Sequence, residues 1–572
     1  MAAGRFERLP GGLHLLALAE GTRRQIRREW AGSPLHRWLL ARPRPEGIAA
    51  APQDLRPADL EAGRRLLAGR FLLGGQTLDV GASGEPWDRT SPSRRFAELL
   101  HRMDWLRDLL AMGPEGAAAG LRLTLDWGRV FGRWNGFSWR PDILERRVLN
   151  LACAADLICA RASDVERARI LSDLARQARQ LATVIDGPVR AAERATVVAV
   201  AGATLAGAAG ERLLAQALRR LAHALPETVL ADGGHASRSP RAALELLFDL
   251  RTLDAVLVQR GAKEPPEMLR AIDRLDGAVR FLTLADGGLP DLQGGEGGRG
   301  AYVAGARAGQ AEGPRPSAGR GGFQRLDGRS LQVVADAGPP ATGAWSVTAC
   351  AQPLALEVLA HGRRMIVSCA WSPDATGPQA LRLADGGSTL SVGDAACGEP
   401  LRGFRAAALG SRLAGAYEAV EARRHEAEEG LWLELSHDGW ARRFHLRHER
   451  RLYLDIAADE LRGEDRLTPL GDSAAAAAAR RFIPFLVRFH LHPDVRASLA
   501  RDGRSVLLRA EGDETGWWLR NDAREVAIEA SVFYQDGLPR RTQQVVLRGQ
   551  ARLDAGARVR WKIAAAEGGA AH

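Results

Sequence analysis

The period of the hydrophobic pattern changes once along this chain, and that change divides it. Between residues 93 and 284, apolar residues recur every three or four positions. The segments are FAELLHRMDWLRDLL, ILERRVLNLACAADLICARA, VERARILSDLARQARQLATVI, ATVVAVAGATLAGAAGERLLAQALRRLAHAL, PRAALELLFDLRTLDAVLVQR and EMLRAIDRLDGAVRFLTLA. A helix gathers such positions on one face, so six successive amphipathic helices are expected, with no strand between them. They must bury their stripes against one another, and a ring of helical hairpins around a groove is one way to do so. Beyond residue 322 the segments are short and alternate, as in SLQVVADAG, GLWLELSHDG, SVLLRAEG, GWWLRNDA and EVAIEASVFYQ. Period-two alternation between turn residues predicts a large antiparallel β-sandwich.

The expected fold class is therefore multidomain α+β. Residues 1–92 read as an N-terminal segment packed on something larger, broken by Pro43, Pro45, Pro52 and Pro57 and ending in the strand-like RFLLGGQTLDV. A helical domain follows over 93–284, then a Gly/Pro-rich linker or loop over 285–321, a β-sandwich over 322–565, and a tail over 566–572. A length of 572 residues fits two or three domains better than one.

No stretch approaches a membrane span. LHLLALA is a short apolar patch followed by Glu20 and a basic helical stretch, a poor secretion signal, so a cytoplasmic location is expected. The formal charge of +10 is almost wholly arginine, with Lys263 and Lys562 the only lysines. Arginine forks suit carboxylates and sulfates, although GC-rich coding produces the same abundance of Ala, Gly and Arg. Without a compact basic run interleaved with aromatics, nucleic acid is not an expected partner. The five cysteines are scattered and odd in number, which indicates neither a disulfide framework nor a zinc spacing.

Three segments carry candidate chemistry. ADGGHASRSP sets His235, Ser237 and Arg238 on one polar turn between two helical patterns, where glycines let the backbone approach a ligand. The competing role is capping of the helix that begins near Pro240, with Asp232 ordering the turn. DWGRVFGRWNGFSWRPD crowds Trp127, Trp134 and Trp139 around Arg133 and Asn135. Sugar rings stack on indole faces and arginines pair with carboxylates, so this segment is either a carbohydrate-lined groove or a hydrophobic plug. SHDGW places His437 and Asp438 where they orient a base or bond the local turn. His445, His448, His490 and His492 read as sheet-face residues, while Glu245 and Asp249 read as solvated.

ADGGHASRSP, DAGPPATGAWS, SHDGWARRFHLRHERRL and FLVRFHLHPDV together resemble the heparinase II/III-like polysaccharide lyases. The resemblance implies an α/α toroid (an incomplete helical barrel) followed by a layered β-sandwich, with substrate in the groove where they meet. It also implies a carbon–oxygen lyase that breaks uronic-acid polymers such as glycosaminoglycans by β-elimination, with an acidic polysaccharide as partner and a periplasmic location as the alternative. Such chemistry needs a neutraliser for the uronate carboxylate and an acid/base pair, typically Tyr or His. The residues that would serve are His235, Arg238, His437 and Tyr302, with Trp127, Arg133, Trp134, Asn135 and Trp139 binding substrate.

The chain departs from the family where a sandwich histidine and metal ligands belong: Cys350, Ser368 with Cys369, and Gly387 in GGSTL fill those places. No metal and no cofactor are therefore expected. A catalytically impaired relative, glycan-binding or associated with glycan biosynthesis, is the second reading. A hydrolase would need paired carboxylates across the groove, and none can be placed there.

Overall fold

The computed structural model describes residues 12–296, 300–308, 319–375, 379–471 and 481–566. Helices come first and sheets second. The toroid is built of antiparallel helical hairpins: Pro141–Cys159 with Asp164–Ala182, Ala191–Thr204 with Ala208–Thr228, and Pro240–Arg260 with Pro266–Leu282. The long alanine-rich segment is two helices rather than one. Leu205 leaves helical geometry, and the chain reverses at Gly207, whose φ of 79° favours glycine. Gly202 permits the close return, since a Cβ there would stand 2.6 Å from the Leu214 backbone nitrogen. The helix Pro114–Phe131 was not expected from the sequence. No strand forms between residues 144 and 284; the single β-bridge that begins and ends there joins Val229 to His235. RFLLGGQTLDV forms the hairpin Arg70–Leu73 with Gln76–Asp79.

Two eight-stranded antiparallel sheets make the sandwich. The outer runs from Val420–Ala427 through Gly430–His437, Leu446–Asp455, Glu460–Pro469, Ala557–Ala565, Gly516–Asn521 and Val506–Ala510 to Val495–Leu499. The inner runs from Glu525–Gln535 through Leu538–Arg552, Phe482–Leu491, Arg363–Val367, Leu356–Ala360 and Leu331–Asp336 to Phe323–Asp327, with Leu390–Val392 paired onto Phe482–Leu491. Their facing sides pack Phe485, Phe489, Trp517 and Trp561 between them. The inner sheet turns its other face to the helices: Phe323, Val334, Ala355 and Leu359 belong to the same apolar core as the toroid.

The Gly/Pro-rich stretch, where described, is part of this contact. Leu289 and Leu292 are buried, Gln293 bonds both the N–H and the C=O of Cys350, and Gly300–Ala306 is a helix that buries Val303 and Ala306. The N-terminal helix Gly12–Gly32 reaches the sandwich side too, packing Ala17 against Ala408 and Leu409.

Candidate functional site

The turn ADGGHASRSP lies at the junction of toroid and sandwich. Gly233, at φ 87°, passes so close to the helix Pro266–Leu282 that a Cβ would meet the Arg274 carbonyl at 2.2 Å. Asp232 takes the N–H of Gly234 and of Gly321, and Ser239 caps the helix Pro240–Arg260. The turn is thereby fixed from both sides.

His235 is 4% exposed. Its Nδ1 accepts the Ser237 N–H at 3.1 Å and lies 2.7 Å from the Ser237 hydroxyl, which leaves the proton on Nε2. Nε2 faces Glu193 Oε1 at 3.5 Å, an electrostatic contact longer than a close hydrogen bond. Burial would raise the Glu193 carboxyl, but the His235 ring and Arg190 overcome it and hold Glu193 at about 2. Nδ1 is thus committed to the turn, whereas Nε2 is buried beside Glu193 without a hydrogen-bond partner.

Arg238 is more completely occupied. Its Nε donates to Gly321 O, Nη1 to Gly338 O and Pro339 O, and Nη2 to Gly322 O and Asp336 Oδ1, at 2.6 to 3.1 Å. The guanidinium lies 4.9 Å from the Phe323 ring centre. All five N–H donors have acceptors, so Arg238 does not face a ligand as the sequence suggested; it clamps the toroid to the inner sheet.

Inside the toroid a charged seam continues from His235. Arg190 pairs with Glu145 and Glu193, and it feels the charge of Asp249. Arg146 lies 3.3 Å from Asp249 and 3.6 Å from Asp104. Arg56 binds Asp54, Glu245 and Asp249 at 2.7 to 3.0 Å. Arg107 joins Asp54 at 2.9 Å to the Tyr302 hydroxyl at 3.1 Å. Four arginines meet six carboxylates here. Asp249 is 1% exposed and Glu245 half-buried, which corrects their reading as solvated. Burial raises the Tyr302 phenol above its ordinary value, partly opposed by Arg107.

His437 is not in this groove. It lies in the sandwich core, where its Nδ1 accepts the Gly439 N–H at 3.0 Å and its Nε2 meets His448 Nδ1 at 3.1 Å; His448 Nε2 then donates to Asp465 at 2.8 Å. Arg450 and Trp561 complete Asp465, and burial holds His437 well below, and His448 below, the ordinary imidazole range. This is a structural chain that a substrate cannot reach, so the expectation of a catalytic His437 is corrected.

The aromatic segment is a plug rather than a sugar platform. Trp127 and Trp139 are buried to 1% and 4% exposure. Trp127 Nε1 donates to His101, Trp139 Nε1 donates to Phe131 O, and Arg147 is sandwiched against the Trp127 face at 4.3 Å. Asn135 closes a local turn by taking the N–H of Phe137 and Ser138. Trp134 is partly buried near Gly32, and Arg133 alone of this group is exposed.

At the places where the sequence resemblance would put a histidine and metal ligands, burial pushes the Cys350 thiol to about 11 and the Cys369 thiol to about 12. Ser368 donates to Asp291 O at 2.5 Å, and a side chain at Gly387 would press on Gln352, 3.0 Å from the new Cβ. Among the described residues, no group of three or more His, Cys, Asp or Glu side chains is placed to hold a metal ion.

A helical toroid on a layered antiparallel sandwich is the fold that the comparisons with known proteins bear on. The model of the heparinase II/III-like C-terminal region matches residues 311–562, and the chain is 51% identical over 564 residues, 98% of each chain, to FtsZ-localized protein C of Caulobacter vibrioides (strain NA1000 / CB15N). This chain belongs to the heparinase II/III-like family. Two solved structures show the shared fold. Heparinase III matches with a TM-score of 0.65 at 14% identity, covering 86% of this chain and 81% of that one. Heparan sulfate lyase HepC from Pedobacter heparinus matches with a TM-score of 0.54 at 15% identity, covering 94% and 88%.

Proposed function

We propose that this protein is a polysaccharide-lyase-like member of its family that binds a glycan without cleaving it. The observation that carries the reading is the engagement of the expected chemistry: Nδ1 of His235 and all five donors of Arg238 are taken by the protein itself, and His235 Nε2 is buried facing the Glu193 carboxylate. The seam beside them holds four arginines against six carboxylates, which leaves no excess positive charge to neutralise a uronate. Cys350 and Gly387 stand where the resemblance puts histidines.

The relative's name ties that protein to FtsZ, and the extent of the identity supports the same association here. The cytoplasmic location expected from the N-terminal segment belongs to the same proposal. Tyr302 favours the second reading, a carbon–oxygen lyase on an acidic polysaccharide, because its phenol remains in the seam at hydrogen-bond distance from Arg107. Mixing the purified protein with heparan sulfate, chondroitin sulfate and alginate, and following both binding and the ultraviolet absorbance of an unsaturated uronate, separates the two. Binding with flat absorbance supports the first reading and rising absorbance the second.

A further inference from the structure

A large cavity lies on the flank of the toroid. It is a cleft of about 590 Å³ between the end of the helix Asp164–Ala182 and the helices Ala191–Thr204 and Ala208–Thr228. It exists because the facing positions are small: Ala191 and Ala195 on one helix oppose Ala217 and Ala224 on the other, above a floor of Leu181 and Val198. Its volume falls within the roughly 300–1,000 Å³ of small-molecule pockets.

The charge around it is one-sided. Arg194, Arg219, Arg220 and His223 line the cleft, and no carboxylate does. Arg194 reaches out to Asp186 and Arg220 to the Ala182 carbonyl, whereas Arg219 and His223, one turn apart, stand exposed on the rim. Most of the wall is helix flank whose backbone groups are bonded within the helices, with the loop residues Val184, Ile185 and Gly187 and the side chain of Gln216 as the exceptions, so the body of an occupant finds few hydrogen-bond partners there and must need few. A peptide backbone fails that requirement, while a hydrocarbon chain meets it.

We propose that this cleft is a binding site for a single-chain anionic amphiphile, with a hydrocarbon tail along the alanine-lined floor and a carboxylate at Arg219 and His223. Charge complementarity at the rim selects the head, and apolar burial holds the tail. Titration calorimetry with dodecanoate, below its aggregation concentration, tests the site in the full-length protein. The expected result is saturable one-to-one binding, at least tenfold weaker for dodecanol and undetectable for dodecyltrimethylammonium. Arg219→Glu, an exposed change that leaves the fold alone, weakens dodecanoate binding at least tenfold. Ala224→Phe, which fills the cleft from a half-buried position, abolishes it. Binding indifferent to both substitutions, equal binding of the cationic chain, or no saturable binding overturns the proposal.

Discussion

Arg238 Nη2 stands 2.6 Å from Asp336 Oδ1, and this contact joins the turn of the toroid to the last residue of an inner-sheet strand. Both side chains are nearly excluded from solvent, and Asp336 also receives Gln293 Nε2 at 2.6 Å. Removing the guanidinium strands a buried carboxylate and four carbonyls, and breaking such a pair costs about 3–5 kcal/mol. Arg238→Ala is therefore expected to lower unfolding free energy by that amount in urea titrations. Arg238→Lys recovers little, because an ammonium cannot reproduce the five-donor fork.

His235 and Glu193 should behave as one unit. His235→Ala leaves a buried carboxylate facing a void, at about 1–3 kcal/mol. A double-mutant cycle with Glu193→Gln is expected to show a coupling of at least about 0.5 kcal/mol. Additivity of the two substitutions would show that the 3.5 Å contact is energetically empty.

Acid should destabilise the fold well above the carboxylate range. Burial lowers His490 to about 4, and burial with the charge of Arg147 lowers His101 to about 3. In the unfolded chain both bind a proton near pH 6.5, so the unfolded state carries more protons between those values. Their contribution is present above about pH 6.5 and is lost as pH falls through the window toward 4 and 3, by a few kcal/mol in total. His490→Gln should flatten the pH dependence of denaturant midpoints in that window.

Much of the architecture was legible in the sequence because packing imposes its period directly. PRAALELLFDLRTLDAVLVQR is the helix Pro240–Arg260 and EVAIEASVFYQ is the strand Glu525–Gln535, each with the predicted limits. The helix Pro114–Phe131 was missed because its Trp127 and Phe131 read as part of an aromatic segment, groove or plug, and its glycines and Pro114 look like loop residues. The site was far less legible. The acceptors of Arg238 lie 83 to 101 residues away in the sequence, and the seam draws on residues from Asp54 to Tyr302. Motif spacing can propose an arginine, but it cannot show that its donors are already taken.

Trp127 offers the contrast between plug and platform. Truncating a fully buried indole costs about 3–5 kcal/mol, so Trp127→Ala should lower the thermal midpoint sharply. Arg133→Ala, on the exposed part of the same segment, should leave it unchanged. If Trp127→Ala instead weakens oligosaccharide affinity at unchanged stability, the indole faces a ligand.

The central claim, a lyase fold without elimination, is tested most directly by single-batch assays of uronate polymers. Purified protein is incubated with heparan sulfate, and binding is measured alongside the ultraviolet absorbance of the unsaturated uronate that β-elimination creates. The account predicts saturable binding with absorbance that stays at the level of the protein-free control. A rise that scales with protein concentration and disappears in Tyr302→Phe would contradict it and make Tyr302 the acid/base of a working lyase.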